Sequence, residues 1–245
     1  FISVKLCTFN NNRKDTMRLK NPSRNEAVIY QYIIMFSTFT RNFGSALTAE
    51  NIQLMSVKFS TFNHNSRYAM LFKKSRGSQI EIHRCRIMNN NYIKTLKGTV
   101  SFSGTWARRA VIHSSYFANN SASHGGGGIF FGNLRRVSVH NCIFTSNKVD
   151  AGGGAIKFKK ANGIHVSHSV FKANIADERG GALRMIWSTS GDIKIELCKF
   201  YRNEAVEGGA IYSAEISRPV FLLSCVFRQN IAREQGAVIV YNSIR

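Results

Sequence analysis

The sequence predicts an all-β chain: a single-domain parallel β-helix over residues 1–245, a solenoid of about nine turns. Three observations lead there. Phe-x-x-Asn recurs from Asn12 to Asn230, 218 residues in eight steps, or about 27 residues per repeat, which is solenoid spacing. Apolar residues around each copy alternate with period two, the mark of short strands rather than helices. A glycine pair and a second apolar pair then follow each Asn in the regular copies, as in "FTSNKVDAGGGAI" and "FYRNEAVEGGAI".

Each element of the template apolar-x-apolar-x-x-small-x-Phe-x-x-Asn has a physical role. The first apolar pair (Ile2/Val4, Ile80/Ile82, Ile193/Ile195) forms an inward strand face. The two-residue gap before the small Cys or Ser marks a bend where inward parity resets. The Phe fills the interior and stacks on the Phe of the next turn. The Asn is placed at a bend where its amide bonds the Asn above and below, predicting a structural ladder of Asn12, Asn42, Asn65, Asn90, Asn120, Asn147, Asn174, Asn203 and Asn230. The glycine pair permits a corner with positive φ. A second apolar pair supplies a third strand, expected at Val28/Tyr30 in the first turn, Ile156/Phe158 in the sixth and Val238/Val240 in the last. One turn cannot bury its own apolar face, whereas stacked turns can. The repeat is degraded in 1–109, where "FGSALTA", "YAMLFKK" and "LKGTVSF" replace the glycine element, and regular in 110–245.

Phe-x-x-Asn followed by Gly-Gly-Ala-Ile resembles the repeats of the chlamydial polymorphic outer-membrane proteins, most clearly from Phe117 onward. The resemblance implies a right-handed parallel β-helix displayed extracellularly or on a cell surface, often for adhesion. It specifies fold more strongly than function.

Composition narrows the chemistry. A chain with 44% hydrophobic residues, 19 Gly and only 2 Pro fits a folded, strand-rich protein, and no apolar run approaches the length of a membrane helix. The start, "FISVKLCTFN", has neither an initiator Met nor a signal-peptide layout, so the chain reads as a piece of a longer solenoid. Open parallel edges at its ends predict self-association. The net charge of +21 is uneven, +17 in residues 1–149 and +4 in 150–245, and favours anionic partners.

The cations concentrate in the loops leading into each new turn: Lys73, Lys74 and Arg76, then Arg108 and Arg109 beside Trp106, then Arg135 and Arg136, then Lys159 and Lys160. Four stacked corners make a stripe roughly 15 Å long with no acid among these nine cations. It suits anionic polysaccharide or an anionic cell surface; nucleic acid is disfavoured because Trp106 is the sole aromatic in these loops. A solubilising face is the plain alternative. Acids cluster elsewhere, at Asp150, Asp177, Glu178, Glu204, Glu207 and Glu234, as a solvated edge or, alternatively, a calcium corner.

His83, His113 and His140 share one outward column, which invites a metal but shows no fourth ligand. Cys7, Cys85, Cys142, Cys198 and Cys225 share the inward small-residue column. Only Cys198 and Cys225 fall on neighbouring turns, where a disulfide is within reach but poorly oriented. No cofactor motif or zinc-finger spacing is present, and no catalytic or metal-ligand set is assigned. The reading is a non-catalytic segment of a β-helical surface or secreted protein that binds anionic surfaces or glycans. The alternatives are a polysaccharide-active lyase or hydrolase whose carboxylates lie elsewhere, and a structural spacer.

Overall fold

The computed structural model describes residues 1–21, 31–91, 97–104 and 106–243. Among them the chain forms three nine-stranded parallel sheets, each taking one strand from every turn in strict sequence order. The first sheet runs from Ile2–Lys5 to Val220–Leu223, the second from Thr8–Asn10 to Val226–Arg228, and the third from Met17–Lys20 to Ile239–Ser243. Equivalent residues pair in register: Ile80 with Ala110, Phe117 with Phe144, Ile156 with Leu183. No helix is present among the described residues.

The alternation read from the sequence is the burial pattern. In Gln79–His83 the side chains of Ile80 and Ile82 are buried while their neighbours are not. Two Phe columns stack through the interior. Phe117, Phe144, Phe171, Phe200 and Phe227 lie 4.7–5.1 Å apart in the second sheet, and Phe72, Phe102, Phe131 and Phe158 lie 4.8–5.3 Å apart in the third. Near-parallel rings at this spacing add to the burial of the apolar surface itself.

The corners are built differently from the sequence expectation. Two residues in every turn adopt positive φ without being glycine: the one before the small residue (Arg84, φ 49°; Leu197, φ 53°) and the one before the ladder Asn (Arg41, φ 51°; Ala173, φ 52°). This left-handed conformation costs an L-residue on the order of 1 kcal/mol. In the first eight turns it is held because each such amide is paired to the next turn, as Arg41 N–H is to the Asn63 carbonyl at 3.1 Å. Glycine serves a third corner. Gly180 has φ +70°, and a Cβ on the following Gly181 would collide with the carbonyl oxygen of Gly209 one turn on. The pair is therefore one glycine for conformation and one for close approach of backbone to backbone.

The Asn ladder runs unbroken from Asn12 to Asn230. Each Nδ2 from Asn12 to Asn203 donates to the Oδ1 of the next Asn at 2.8–3.0 Å. That same Oδ1 also accepts the backbone N–H of the preceding Asn, and Nδ2 donates a second time to the carbonyl of the Phe (or Ile87) one turn back. Each interior amide thus makes two donations and two acceptances while fully buried. A second ladder fills the small-residue column. Ser115 Oγ accepts from Cys85 N–H at 3.1 Å and donates to the His113 carbonyl at 2.9 Å, and Ser169 does the same for Cys142 and Ser167. The cysteines are free thiols whose S–H groups turn to nearby carbonyls. Burial pushes Cys85 and Cys142 up to about 12.

Three features differ from the sequence reading. A fourth, five-stranded sheet begins at Ser121–Ala122 and continues through Lys148–Val149, Ile175–Ala176, Glu204–Glu207 and Ile231–Gln235. Its inward residues Ala122, Val149, Ala176 and Ala205 make a small core of their own. In the last turn the third strand carries Ile239 and Tyr241, paired with Ile211 and Ser213, rather than Val238 and Val240. Gly236, at φ 62°, takes the first glycine position, so the apolar run starts one residue later. In the first turn Met17 and Leu19 hold the corresponding place, and Val28 and Tyr30 lie outside the described residues.

Replacing Asn174 with Leu removes the acceptor of two buried N–H groups and a donor to Asn203 and Phe144. The expected loss is about 3 kcal/mol, since stranded buried donors cost more than an average hydrogen bond contributes. An unchanged thermal midpoint in a variant of native circular dichroism contradicts the ladder's role.

Candidate functional site

The basic corner follows the third sheet. Its strands end at Lys73, Ser103, Gly132, Lys159 and Ile186. A positive-φ corner then turns a side chain outward at Lys74, Trp106, Asn133, Lys160 and Trp187 (φ 46–59°), and the small or apolar Ser75, Ala107, Leu134, Ala161 and Ser188 point inward. Arg108, Arg135 and Arg136 occupy the approach to the next first-sheet strand, Arg109 is the first residue of its strand, and all four are exposed. Arg109 pairs in register with Gln79, and Arg135 N–H bonds the Ala107 carbonyl at 3.1 Å, so neighbouring turns hold these guanidinium groups along one edge.

The nine cations are not equivalent. Glu50, one turn before Lys73, has a side chain only 8% exposed and pairs with Lys74 at 3.3 Å, Lys73 at 3.8 Å and Arg18 at 3.3 Å. Burial alone would raise its carboxyl, but the bonds to Lys74 and Arg18 and the charge of Lys73 outweigh it and hold the group below the usual range. Lys73 and Lys74 are therefore partly neutralised. Among the described residues no carboxylate lies within ion-pair distance of Arg76, Arg108, Arg109, Arg135, Arg136, Lys159 or Lys160.

Trp106, Lys160, Asn162, Trp187 and Thr189 line an open cleft of about 540 Å³ on this edge. Trp106 is 59% exposed. Lys159 Nζ sits 4.5 Å, and Lys160 Nζ 5.8 Å, from the centre of the Trp187 ring, and the indole N–H bonds the Glu215 carboxylate. The two indoles are three turns apart, roughly 14 Å along the axis. Trp187 was missed in the sequence because "MIWSTSG" has no cations; aligning its strand Leu183–Ile186 on Ile156–Lys159 places it directly beyond Lys160.

Four of the six acids at the opposite corner are engaged. Asp177 pairs with Lys148, Glu178 with Arg184, Glu204 with Arg233 and Glu207 with Arg179. Under the glycine-rich loops lies a group the sequence did not single out. Lys157, in register with Phe130 and Arg184, is 8% exposed and donates to the His124 carbonyl at 3.0 Å. Burial, with Arg184 and Lys159 nearby, lowers its ammonium to about 8.

On the first sheet His83, His113 and His140 do share one column, in register with Ser167. They do not act as a trio. His83 and His113 stack at 3.8 Å, while His140 turns to Ser167 Oγ at 2.6 Å and meets His165 edge-on at 5.1 Å. Glu81, from the adjacent outward column, comes to 3.0 Å from His113 Nε2 and 3.1 Å from Lys58. His165 in turn pairs with Glu196 at 2.7 Å.

A family model for the Chlamydia polymorphic membrane protein repeat matches residues 114–132 and 141–159, two successive turns that each contain the Phe-x-x-Asn and glycine elements. No curated protein and no solved structure matches the chain. No helix among the described residues is long and apolar enough to cross a membrane.

The buried ammonium gives a pH signature. Between about 8 and the unfolded value near 10.4 the unfolded chain keeps the Lys157 proton that the folded chain has released, so raising pH through this window stabilises the fold. Urea unfolding of wild type and Lys157→Met at pH 7 and pH 11 should show wild type gaining about 3 kcal/mol on the variant. Parallel pH profiles would refute the buried position of this amine.

Proposed function

We propose that this solenoid of polymorphic-membrane-protein-type repeats is part of a cell-surface or secreted protein, and that its basic corner binds anionic glycans. The observation that carries the reading is the set of four exposed guanidinium groups, Arg108, Arg109, Arg135 and Arg136, stacked on neighbouring turns without a carboxylate partner among the described residues. Arginine presents a planar fork of donors that matches sulfate and carboxylate oxygens. The cleft beside them offers two indole faces and the Lys160 ammonium, a combination suited to a sugar ring bearing an acidic group. The repeat match supports surface display. A glycan-cleaving reading is less well supported: among the described residues the carboxylate beside the cleft is that of Glu215, which accepts the Trp187 indole N–H, and four acids of the opposite corner are spent on ion pairs.

Reversing Arg108, Arg109, Arg135 and Arg136 to Glu should weaken heparin binding roughly tenfold or more, a loss of at least about 1.4 kcal/mol. Wild-type binding should fall with salt as the Debye length shrinks. Reversing Arg202, Arg228 and Arg233 serves as control, because Arg233 already pairs with Glu204 and Arg202 bonds Gln229. Equal losses from both sets mean that net charge alone drives retention, and the site assignment falls.

A further inference from the structure

We propose that Glu81, His83 and His113 form a binding site for a borderline divalent cation of the zinc class on the outward face of the first sheet, where Glu81 shares a groove with Arg109 of the basic edge. Glu81 and His83 leave the same strand, Gln79–His83, two residues apart and on its outward side, and His113 lies directly over His83 on the next turn. One ligand atom from each of the three falls within 4.8 Å of the others. The Glu81 Oε1 to His113 Nε2 distance of 3.0 Å is close to the roughly 3.3 Å that separates two ligands held at 2.0–2.1 Å on a tetrahedral zinc.

The surroundings orient Glu81 and flank His83, and the His83 and His113 rings, stacked at 3.8 Å, need a turn of one imidazole to share an ion. Ser56 and Lys58, one turn back, bond the other carboxylate oxygen of Glu81 at 3.3 and 3.1 Å, which leaves Oε1 turned toward the histidines. The Phe59 ring lies 5.4 Å from the His83 ring and covers one side. All three ligands are partly exposed, so a cation has a path in and a fourth position remains for water. Two imidazoles and one carboxylate select zinc-like ions over magnesium or calcium, which favour all-oxygen sets. His140 is excluded from the set by its bond to Ser167 and its edge-on ring contact with His165. A bound ion would tie the fourth and fifth turns together through side chains alone.

Equilibrium dialysis of the 245-residue chain against zinc chloride tests the site. The expected result is one zinc per chain, with Kd raised at least tenfold in His83→Ala, His113→Ala and Glu81→Gln and unchanged in His140→Ala and His165→Ala. Magnesium chloride in hundredfold excess should leave the zinc bound. Absence of binding in wild type, displacement by magnesium, or an equal loss in His140→Ala overturns the assignment. Circular dichroism checks each variant; should an alanine variant lose its sheet signal, His83→Asn and His113→Asn replace it with the same tenfold expectation.

Discussion

Everything in this protein is subject to the spacing of roughly 4.8 Å between hydrogen-bonded parallel strands, because in-register stacking makes each side chain meet its own equivalent one turn away. The residues that prosper are those that attract their own kind. An asparagine amide carries donors and an acceptor at opposite sides, so a column of them closes on itself. Phenylalanine rings stack face on face. Serine hydroxyls accept from one turn and donate within their own. A column of like charges has no such solution. Glu50 gathers cations from the turns on either side, and Arg179 takes Glu207 from the next turn. Arg108 and Arg109, and Arg135 and Arg136, instead extend into water.

That same rule decides what could be read from the sequence. The Phe and Asn columns were legible because identity repeats where like meets like, and nine copies fix the interval. Trp187 and the Glu81–His113 contact were not, because each depends on a side chain crossing to an adjacent column, which a one-column alignment does not display. The fourth sheet escaped notice because several of its strands are two residues long and its inward side chains are mostly alanine. The last turn was shifted by one residue because Ala237 stands where earlier turns have the second glycine, and the apolar run "AVIV" has no internal mark of register. Lys157 sits at an outward position of its strand yet is buried, because loops fold over that face; period-two reasoning assigns such a position to solvent.

Architecture and recognition are thereby divided between the two sides of the same strands. Inward columns are nearly uniform along the length, whereas outward columns and corners change from turn to turn: lysine, indole, asparagine, lysine, indole along one edge. The positive-φ corners help this division. Their side chains project away from the core, and the residues found there include Leu, Phe, Arg, Ser, Asn, His, Ala and Gln, so identity at these points is set by the surface and not by the interior.

The direction of the hydrogen bonds has a mechanical consequence. Strands lie across the long axis, so the bonds that join turns, together with the amide ladder, run along it. Tension applied from end to end loads the turns in series, and within any one turn the sheets share the load. A turn that peels away frees about 27 residues, or roughly 90 Å of extended chain, while the remaining turns keep their stacking. A filament built this way lengthens in steps and dissipates work at each one, a property suited to a tether between two surfaces that drift apart.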